Sequence, residues 1–217
     1  AFMLVVAITY LFTWEREPTI ETEEKSNSNS SPLNSLKMVF VNLSSTLRIR
    51  AFRLHLGMYL GGYISQDIFN AAFTYFIVFA LGGSVVIASS LIANTYIAQL
   101  LAVALAIALV IRIGPSYTYR LAVSFYIAGI LALLILFLSF DHLPPMYLLL
   151  GAVVLAGLGR GALNYIPWNV YNYIADVDQI VTAKRREGSF AGVMTFIRKA
   201  SQAAAVMFVG IVIEWGG

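Results

Sequence analysis

The sequence predicts an all-α membrane protein, and three observations support this fold class. Hydrophobic residues make up 59% of the 217 positions and charged residues 12%, with a mean hydropathy of +0.80. Such a composition cannot close into a soluble globule without leaving a large apolar surface in water. The apolar residues form separate runs that are long enough to cross a hydrocarbon core of about 30 Å. Lys and Arg gather between alternate runs, as expected for a chain that crosses the bilayer repeatedly.

Five long apolar spans make up a helix bundle predicted for residues 51–217. Each span is long enough to cross the membrane with some tilt, and short connections join one span to the next. The predicted bounds of the spans are 51–81, 84–111, 117–140, 145–174 and 189–215.

Two segments precede this bundle. The apolar run 1–14 would reach roughly 21 Å as a helix, so we predict that it is the end of a longer transmembrane helix and that the chain is a fragment. Residues 15–34 contain five Glu and a Ser/Asn-rich run, a composition that cannot bury enough surface to fold alone. We therefore predict a linker at 15–50. Its last part is either an amphipathic segment on the membrane surface or the basic flank of the next helix.

The positions of the cations predict the orientation of the spans. If the spans alternate in direction, eleven Lys and Arg residues near the span ends lie on one side and none on the other. By the positive-inside rule, the linker 15–50 and the stretch 176–188 are cytoplasmic, and the protein lies in the cell (inner or plasma) membrane. The cations counted are Arg16, Lys25, Lys37, Arg48, Arg50, Arg53, Arg112, Arg120, Lys184, Arg185 and Arg186.

Several classes of function have no support in the sequence. The net charge of +3 is explained by membrane topology, so it gives no reason to expect nucleic-acid binding. The chain has no Cys, and its two His residues, His55 and His142, are far apart. No Ser/His/Asp or HExxH-type constellation occurs. We therefore expect no catalytic residue, no metal site and no cofactor.

The first of the five spans carries a polar face. Gln66, Asn70 and Thr74 recur every four residues and share one side of a helix, with Asp67 beside them. Because polar groups in lipid are costly, this face should look into protein or a water-filled cavity. It either forms hydrogen bonds between helices or lines a substrate path. Gly57 and Gly61, four residues apart, predict close packing against another helix.

The fourth span carries a second polar face around a predicted kink at Pro167. Asn164, Trp168, Asn172 and Asp176 fall on one side at four-residue spacing. Such a stripe suits a sugar, whose hydroxyls need hydrogen bonds and whose ring face stacks on an aromatic side chain. Packing around the kink is the alternative interpretation. Gly157 and Gly161, also in this span, should allow another helix to approach closely.

The last span contains cations where the membrane interior is expected. Thr195, Arg198, Lys199 and Gln202 lie on one side, and Lys199 is about 16 Å along the helix from Gly188. An isolated charge at that depth costs several kcal/mol, so Lys199 is expected to have a partner. Asp67 is one candidate, and an acid outside this chain is another. A lysine that snorkels to the interface is the alternative.

A longer pattern now carries a resemblance to a known family. The pattern is Asp176-x-Asp-x-x-x-Thr-x-Lys-Arg-Arg-Glu-Gly188, followed by Gly192-Val-Met-Thr-Phe-Ile-Arg-Lys199. It resembles the signature between helices ten and eleven of the glycoside/pentoside/hexuronide:cation symporters. These are melibiose-permease-like members of the major facilitator superfamily. The resemblance implies a two-domain, twelve-helix carrier in which Na⁺, H⁺ or Li⁺ moves with a sugar. This chain would hold the end of helix six, the central cytoplasmic loop and helices seven to eleven.

The resemblance also implies roles for individual residues. Lys199 resembles the lysine of helix eleven that faces the sugar and cation cavity, and Thr195 a polar neighbour. Asp176 resembles the last acid of helix ten, and Arg185 an arginine that helps to close the cytoplasmic gate. Together with the polar residues of the first and fourth spans, the predicted substrate cavity comprises Lys199, Thr195, Asn164, Trp168, Asn172, Gln66 and Asn70. The predicted cytoplasmic gate comprises Asp176, Asp178, Arg185 and Arg186.

One position departs from the family pattern, because Tyr173 stands where many members have another acid. The resemblance implies that the coupling cation, Na⁺ or H⁺, binds mainly in the N-terminal half of the carrier. That half, a small-molecule sugar and the lipid bilayer are the expected partners, and the chain alone is expected to be inactive. A lysolipid or other solute carrier of the same fold, or a membrane scaffold that transports nothing, are the alternatives.

Overall fold

The computed structural model describes residues 49–182 and 187–216, without the side chains at 174, 175, 177–182 and 187–189. The described part is helical and contains no strand, which confirms the predicted all-α class. Five helices follow the chain order: α1 (Arg50–Tyr75), α2 (Val85–Ile113), α3 (Pro115–Ser139), α4 (Met146–Thr182) and α5 (Glu187–Gly216). A π-helical turn at Phe76–Ala80 continues α1. The predicted helix end at 1–14 and nearly all of the linker 15–50 lie outside the described residues.

Four of these helices are long and apolar enough to cross a membrane, so this is a multi-pass membrane protein. They are α2, α3, the Met146–Tyr173 part of α4 and the Phe190–Gly216 part of α5. Helix α1 is of comparable length, but a cluster of polar side chains around Gln66 lowers its apolar content. Its polar residues therefore need partners within the protein, and their partners define the site described below.

Glycines and capping residues set the ends of the helices. After the π-helical turn, Gly82 adopts a positive φ of 65°, and the amide of Gly83 donates to the carbonyl of Ile77 at 2.8 Å. The hydroxyl of Ser84 then accepts a hydrogen bond from the amide of Ile87 and caps α2. At the other end of α2, Gly114 takes a φ of 82° and Pro115 begins α3.

Helix α4 is the centre of the bundle because its glycines admit two neighbours. A Cβ atom added to Gly157 would lie 2.5 Å from the carbonyl oxygen of Thr95, and one added to Gly161 would lie 2.5 Å from Cβ of Ala102, both on α2. On a different side, a Cβ atom at Gly159 would lie 2.5 Å from the carbonyl oxygen of Ala122 on α3. The close approach predicted for Gly157 and Gly161 is therefore confirmed.

The corresponding prediction for α1 is not met among the described residues. Gly57 and Gly61 are exposed, and no described residue outside their own helix backbone lies within 4 Å of a Cβ atom built on either glycine. Gly62, which is buried, instead lies against α4, since a Cβ atom built on it would be 3.7 Å from the carbonyl oxygen of Leu163. One residue shifts the direction of a side chain by about 100° around a helix, so Gly62 lies on the packed face of α1 and Gly61 does not.

Hydrogen bonds from tyrosines attach α3 to α1. The hydroxyl of Tyr119 donates to the carbonyl of Met58 at 2.9 Å, and that of Tyr126 donates to the carbonyl of Ser65 at 3.1 Å. Tyr126 is also buried in the apolar cluster around Ala156 and Leu163 of α4. Helix α3 thus supports both helices that carry the polar site.

The glycine contact between α4 and α3 gives a stability prediction. Gly159→Ala forces the two backbones apart, and overpacking of this kind costs about 1–3 kcal/mol. The matched control is Gly151→Ala on the same helix, where no described atom lies within 4 Å of the added Cβ. We expect Gly159→Ala to lower the melting temperature of the purified protein in detergent, while Gly151→Ala leaves it unchanged or slightly raised. Equal melting temperatures for the two variants would contradict the packing described here.

Candidate functional site

The polar face of α1 divides between two partner helices. Gln66 and Asn70 point toward α4, and Asp67 points toward α5. These contacts hold three helices together through groups that lipid cannot satisfy. Of the predicted cavity residues, the structure brings Gln66, Asn70 and Asn164 into one network.

This network is built on an amide pair. Nε2 of Gln66 donates to Oδ1 of Asn164 at 3.2 Å, and Nδ2 of Asn164 donates back to Oε1 of Gln66 at 3.1 Å. Arg160, one turn before Asn164, donates from Nε to Oε1 of Gln66 at 3.2 Å and from Nη1 to Oδ1 of Asn70 at 3.0 Å. Arg160 is only 3% exposed. A permanent charge thus lies buried between α1 and α4 and is bonded there by amide oxygens.

An ion pair joins α1 to α5. Nη1 and Nη2 of Arg198 donate to the two carboxylate oxygens of Asp67 at 2.6 and 3.0 Å, which is the bidentate geometry that strengthens such pairs. The side chains are 15% and 10% exposed, respectively. The guanidinium carbon of Arg198 also lies 4.6 Å from the ring centroid of Tyr63.

The structure therefore corrects the proposed pairing of Lys199 with Asp67. Arg198 takes that carboxylate, whereas Lys199 is exposed on the surface of the described helices. The two residues are neighbours, and a one-residue step turns a side chain by about 100° around the helix. Thr195, one turn before Lys199, is exposed as well, so these two predicted site residues share a face that does not meet α1.

The aromatic part of the site lies beside the amide pair. Nε1 of Trp168 donates to the hydroxyl oxygen of Tyr63 at 3.2 Å, and its ring meets that of Tyr59 edge-on at 5.8 Å. Nδ2 of Asn169 donates to the hydroxyl oxygen of Tyr165, also at 3.2 Å. Both phenol oxygens accept hydrogen bonds, so each hydroxyl keeps its own hydrogen to donate.

Tyr63, Tyr165, Trp168 and Asn169 are among the side chains that line an open cavity of about 500 Å³. Its lining contains carboxamides, phenols, an indole and one aliphatic side chain, but no charged group: Tyr63, Val103, Asn164, Tyr165, Trp168 and Asn169. The cavity offers hydrogen-bond donors and acceptors next to aromatic surface. Asn172 lies farther along α4, is exposed and does not line this cavity.

The predicted gate is described only at Asp176, which is exposed near the end of α4. The side chain of Asp178 and the residues Arg185 and Arg186 lie outside the described part of the structure. In that part, no three His, Asp or Glu side chains lie close enough together to hold a metal ion.

Arg160 is the residue of this polar network that the sequence interpretation does not include. It stands inside an apolar span, between Gly159 and Gly161, and a charge in such a place is unusual enough to predict a site. The four-residue stripe of this span, Asn164, Trp168, Asn172 and Asp176, extends one turn back to Arg160.

The fold and the site define a class of protein, namely helical membrane proteins with a polar cavity between their spans. Residues 2–217 match the family described as MFS/sugar transport protein, and the chain belongs to this family. The resemblance to sugar carriers of the major facilitator superfamily is thereby confirmed.

One relative is a symporter by name. The chain is similar to an uncharacterized symporter of Synechocystis sp., with 34% identity over 70 residues, and the matched segment covers 32% of this chain and 13% of that protein. No solved structure matches the chain.

The ion pair gives a second prediction. In Asp67→Asn the charge of Arg198 is left without its carboxylate, and in Arg198→Gln the charge of Asp67 is left without its guanidinium, so each variant should be less stable. The double variant should be more stable than the sum of the two effects predicts, with a coupling energy of about 1–3 kcal/mol. Thermal unfolding of the purified variants measures this coupling.

The control for this cycle is Asp141→Asn, which changes an exposed acid between α3 and α4. It should leave the melting temperature unchanged. Strict additivity of the Asp67 and Arg198 effects would show that the pair contributes nothing to stability.

Proposed function

We propose that the intact protein is a secondary active transporter that takes up a sugar together with Na⁺ or H⁺. The observation that carries this proposal is the uncharged cavity of about 500 Å³ beside Trp168, with Asn164 and two tyrosine hydroxyls in its wall. Sugars need many hydrogen bonds to neutral donors and acceptors, and an aromatic ring for the apolar face of the pyranose. A glycoside, pentoside or hexuronide is the proposed substrate class.

The wall of the cavity favours a sugar over a lysolipid. A lysolipid needs a continuous apolar surface for its acyl chain, whereas carboxamide and hydroxyl groups from Asn164, Tyr165 and Asn169 occupy this wall. Leaving such groups beside an acyl chain would cost their hydrogen bonds to water without a replacement. A lysolipid carrier remains the runner-up and is an outcome of the experiment below.

The proposed mechanism is alternating access around a site near the middle of the membrane. The described helices would form one wall of that site, and the N-terminal half of the same carrier, the proposed partner, would form the other. The coupling cation would bind mainly in that half and raise the affinity of the sugar-competent state. For this reason residues 1–217 alone are not expected to transport.

The exposed face of α5 has a role in this proposal. Lys199 and Thr195 lie one turn apart on it, and both are exposed. A lysine at this depth needs a negative partner. We assign that partner to the other half of the carrier, where Lys199 would link sugar binding to cation binding.

The gate is proposed at the cytoplasmic end of α4. Asp176 and Asp178 on one side, and Arg185 and Arg186 on the other, would form charge pairs in the outward-open state and separate when the carrier opens inward. This assignment follows the positive-inside rule, which supports the proposal that the linker 15–50 and the stretch 176–188 are cytoplasmic. The membrane that we propose is the cell (inner or plasma) membrane.

Replacing Lys199 tests its proposed role. We expect Lys199→Ala to abolish accumulation of the sugar against its gradient, because the charge that links the two binding events is lost. Lys199→Arg, the control, keeps the charge and should retain part of the accumulation. Radiolabelled glycoside uptake into cells that express each variant measures both. Normal accumulation by Lys199→Ala would remove this residue from the mechanism.

The function itself is tested by uptake of a panel of glycosides by the intact gene product, with and without Na⁺ at fixed pH. Uptake of at least one glycoside, raised by a Na⁺ or a proton gradient, is the expected result. Transport of a lysolipid with no uptake of any glycoside would favour the runner-up. Absence of both activities would contradict the proposal.

A further inference from the structure

We propose that Arg160 is a positioning residue that determines which sugar hydroxyl the carrier recognises. It does so through Gln66, whose amide it orients, and Asn164, which lines the cavity. This inference rests on the proposed function, because it concerns the substrate of the same cavity. Arg160 itself does not line the cavity, so its effect is transmitted and not direct.

Arg160 is held in a single place by contacts from two other helices. Its guanidinium carbon lies 5.2 Å from the ring centroid of Tyr96 on α2 and 5.7 Å from that of Phe69 on α1. Its hydrogen bonds reach Gln66 and Asn70, both on α1. Aromatic rings and amide oxygens surround the guanidinium, and Arg160 is 3% exposed, so the guanidinium has a fixed position within the bundle.

A guanidinium can only donate hydrogen bonds, so the amides beside it must present oxygen. This requirement sets the orientation of Gln66, whose oxygen faces Arg160 and whose Nε2 is turned away. That Nε2 then donates to Oδ1 of Asn164 at 3.2 Å and to the carbonyl of Gly62 at 3.0 Å. Asn164 must in turn direct its Nδ2 toward Gln66.

Without the arginine, the amide pair would have two nearly equivalent arrangements. An isolated pair of carboxamides keeps both of its hydrogen bonds when both groups turn over by 180°, because each group is a donor and an acceptor. Only the carbonyl of Gly62 would then favour one arrangement. The guanidinium of Arg160 favours the same arrangement more strongly, because hydrogen bonds to charged groups are the stronger ones.

The orientation of Asn164 matters because it lines the cavity. With one N–H and one oxygen lone pair used by Gln66, it has one N–H and one lone pair left for a ligand. If the group turns over, its free N–H and its free lone pair exchange places, so a hydroxyl that accepted from the N–H must turn its own hydrogen toward the oxygen and give up any bond that this hydrogen makes elsewhere. The fixed arrangement therefore favours a sugar whose hydroxyl at that position accepts from Asn164 and donates its hydrogen to another group.

The test measures discrimination, not activity alone. The intact carrier is assayed with the methyl glycoside it takes up best and with the single-deoxy analogues of that glycoside, each lacking one hydroxyl. The ratio of KM for each analogue to KM for the parent gives the contribution of each hydroxyl. In the wild type, one analogue should show a raised ratio of roughly ten-fold, the value of one neutral hydrogen bond.

Three variants locate the source of that ratio. Asn164→Ala and Arg160→Met should both bring the ratio for that analogue close to one, and the double variant should lose nothing further. Arg120→Met is the matched control, because it removes an exposed arginine that stacks on Tyr117 of the same helix. It should leave every ratio unchanged.

The outcomes separate the two proposals. If Asn164→Ala removes the discrimination and Arg160→Met only lowers the rate for all analogues alike, Arg160 is structural and the inference is wrong, while the proposed sugar site stands. If Asn164→Ala leaves every ratio unchanged, the proposed site itself is wrong. Should Arg160→Met fail to accumulate in the membrane, Arg160→Lys takes its place. It keeps the charge but lacks the planar fork, and it should lower the same ratio; an unchanged ratio would again overturn the inference.

Discussion

Polar and charged side chains within membrane helices must find their partners inside the protein, because hydrocarbon offers no hydrogen bonds. The arrangement of α1, α4 and α5 depends on this constraint. Asp67 and Arg198 neutralise each other between α1 and α5. Arg160 of α4 donates to two amide oxygens of α1, those of Gln66 and Asn70, and Gln66 in turn pairs with Asn164 of α4. The site is therefore a consequence of how buried polarity is satisfied.

The same helix α4 separates two kinds of interface. Its glycines at 157, 159 and 161 bring α2 and α3 to within contact of its backbone, where only small side chains fit. Its polar residues Arg160 and Asn164 face α1 instead. Close apolar packing on one side fixes the position of the helix, and a rigid helix holds the cavity side chains in place on the other. This division explains why a single span carries both the small residues and the hydrogen-bonding ones.

Much of the fold followed from the sequence, because long apolar runs and their turn residues determine helices in a membrane protein almost by themselves. Gly114 and Pro115, for example, mark the turn between α2 and α3. The spacing assigned Gln66, Asn70 and Asn164 to polar faces of two spans, and the structure joins the three residues in one network through Arg160. Periodicity failed where a single residue decides the face, as for Gly61 against Gly62 and for Lys199 against Arg198. A step of about 100° around the helix separates such neighbours, and only the packing of other helices tells which one points inward.

The central claim is that a sugar occupies the cavity between α1 and α4, and substrate protection of a single cysteine tests it most directly. The chain contains no cysteine, so Asn169→Cys in the cavity wall and Ser116→Cys at the exposed start of α3 each add one thiol to it. The intact carrier, with any cysteine outside this chain replaced, is alkylated by a maleimide with and without the transported glycoside. Slower labelling at position 169 in saturating glycoside, with an unchanged rate at position 116, is the result that this account predicts. Equal rates at position 169 with and without the sugar would contradict it.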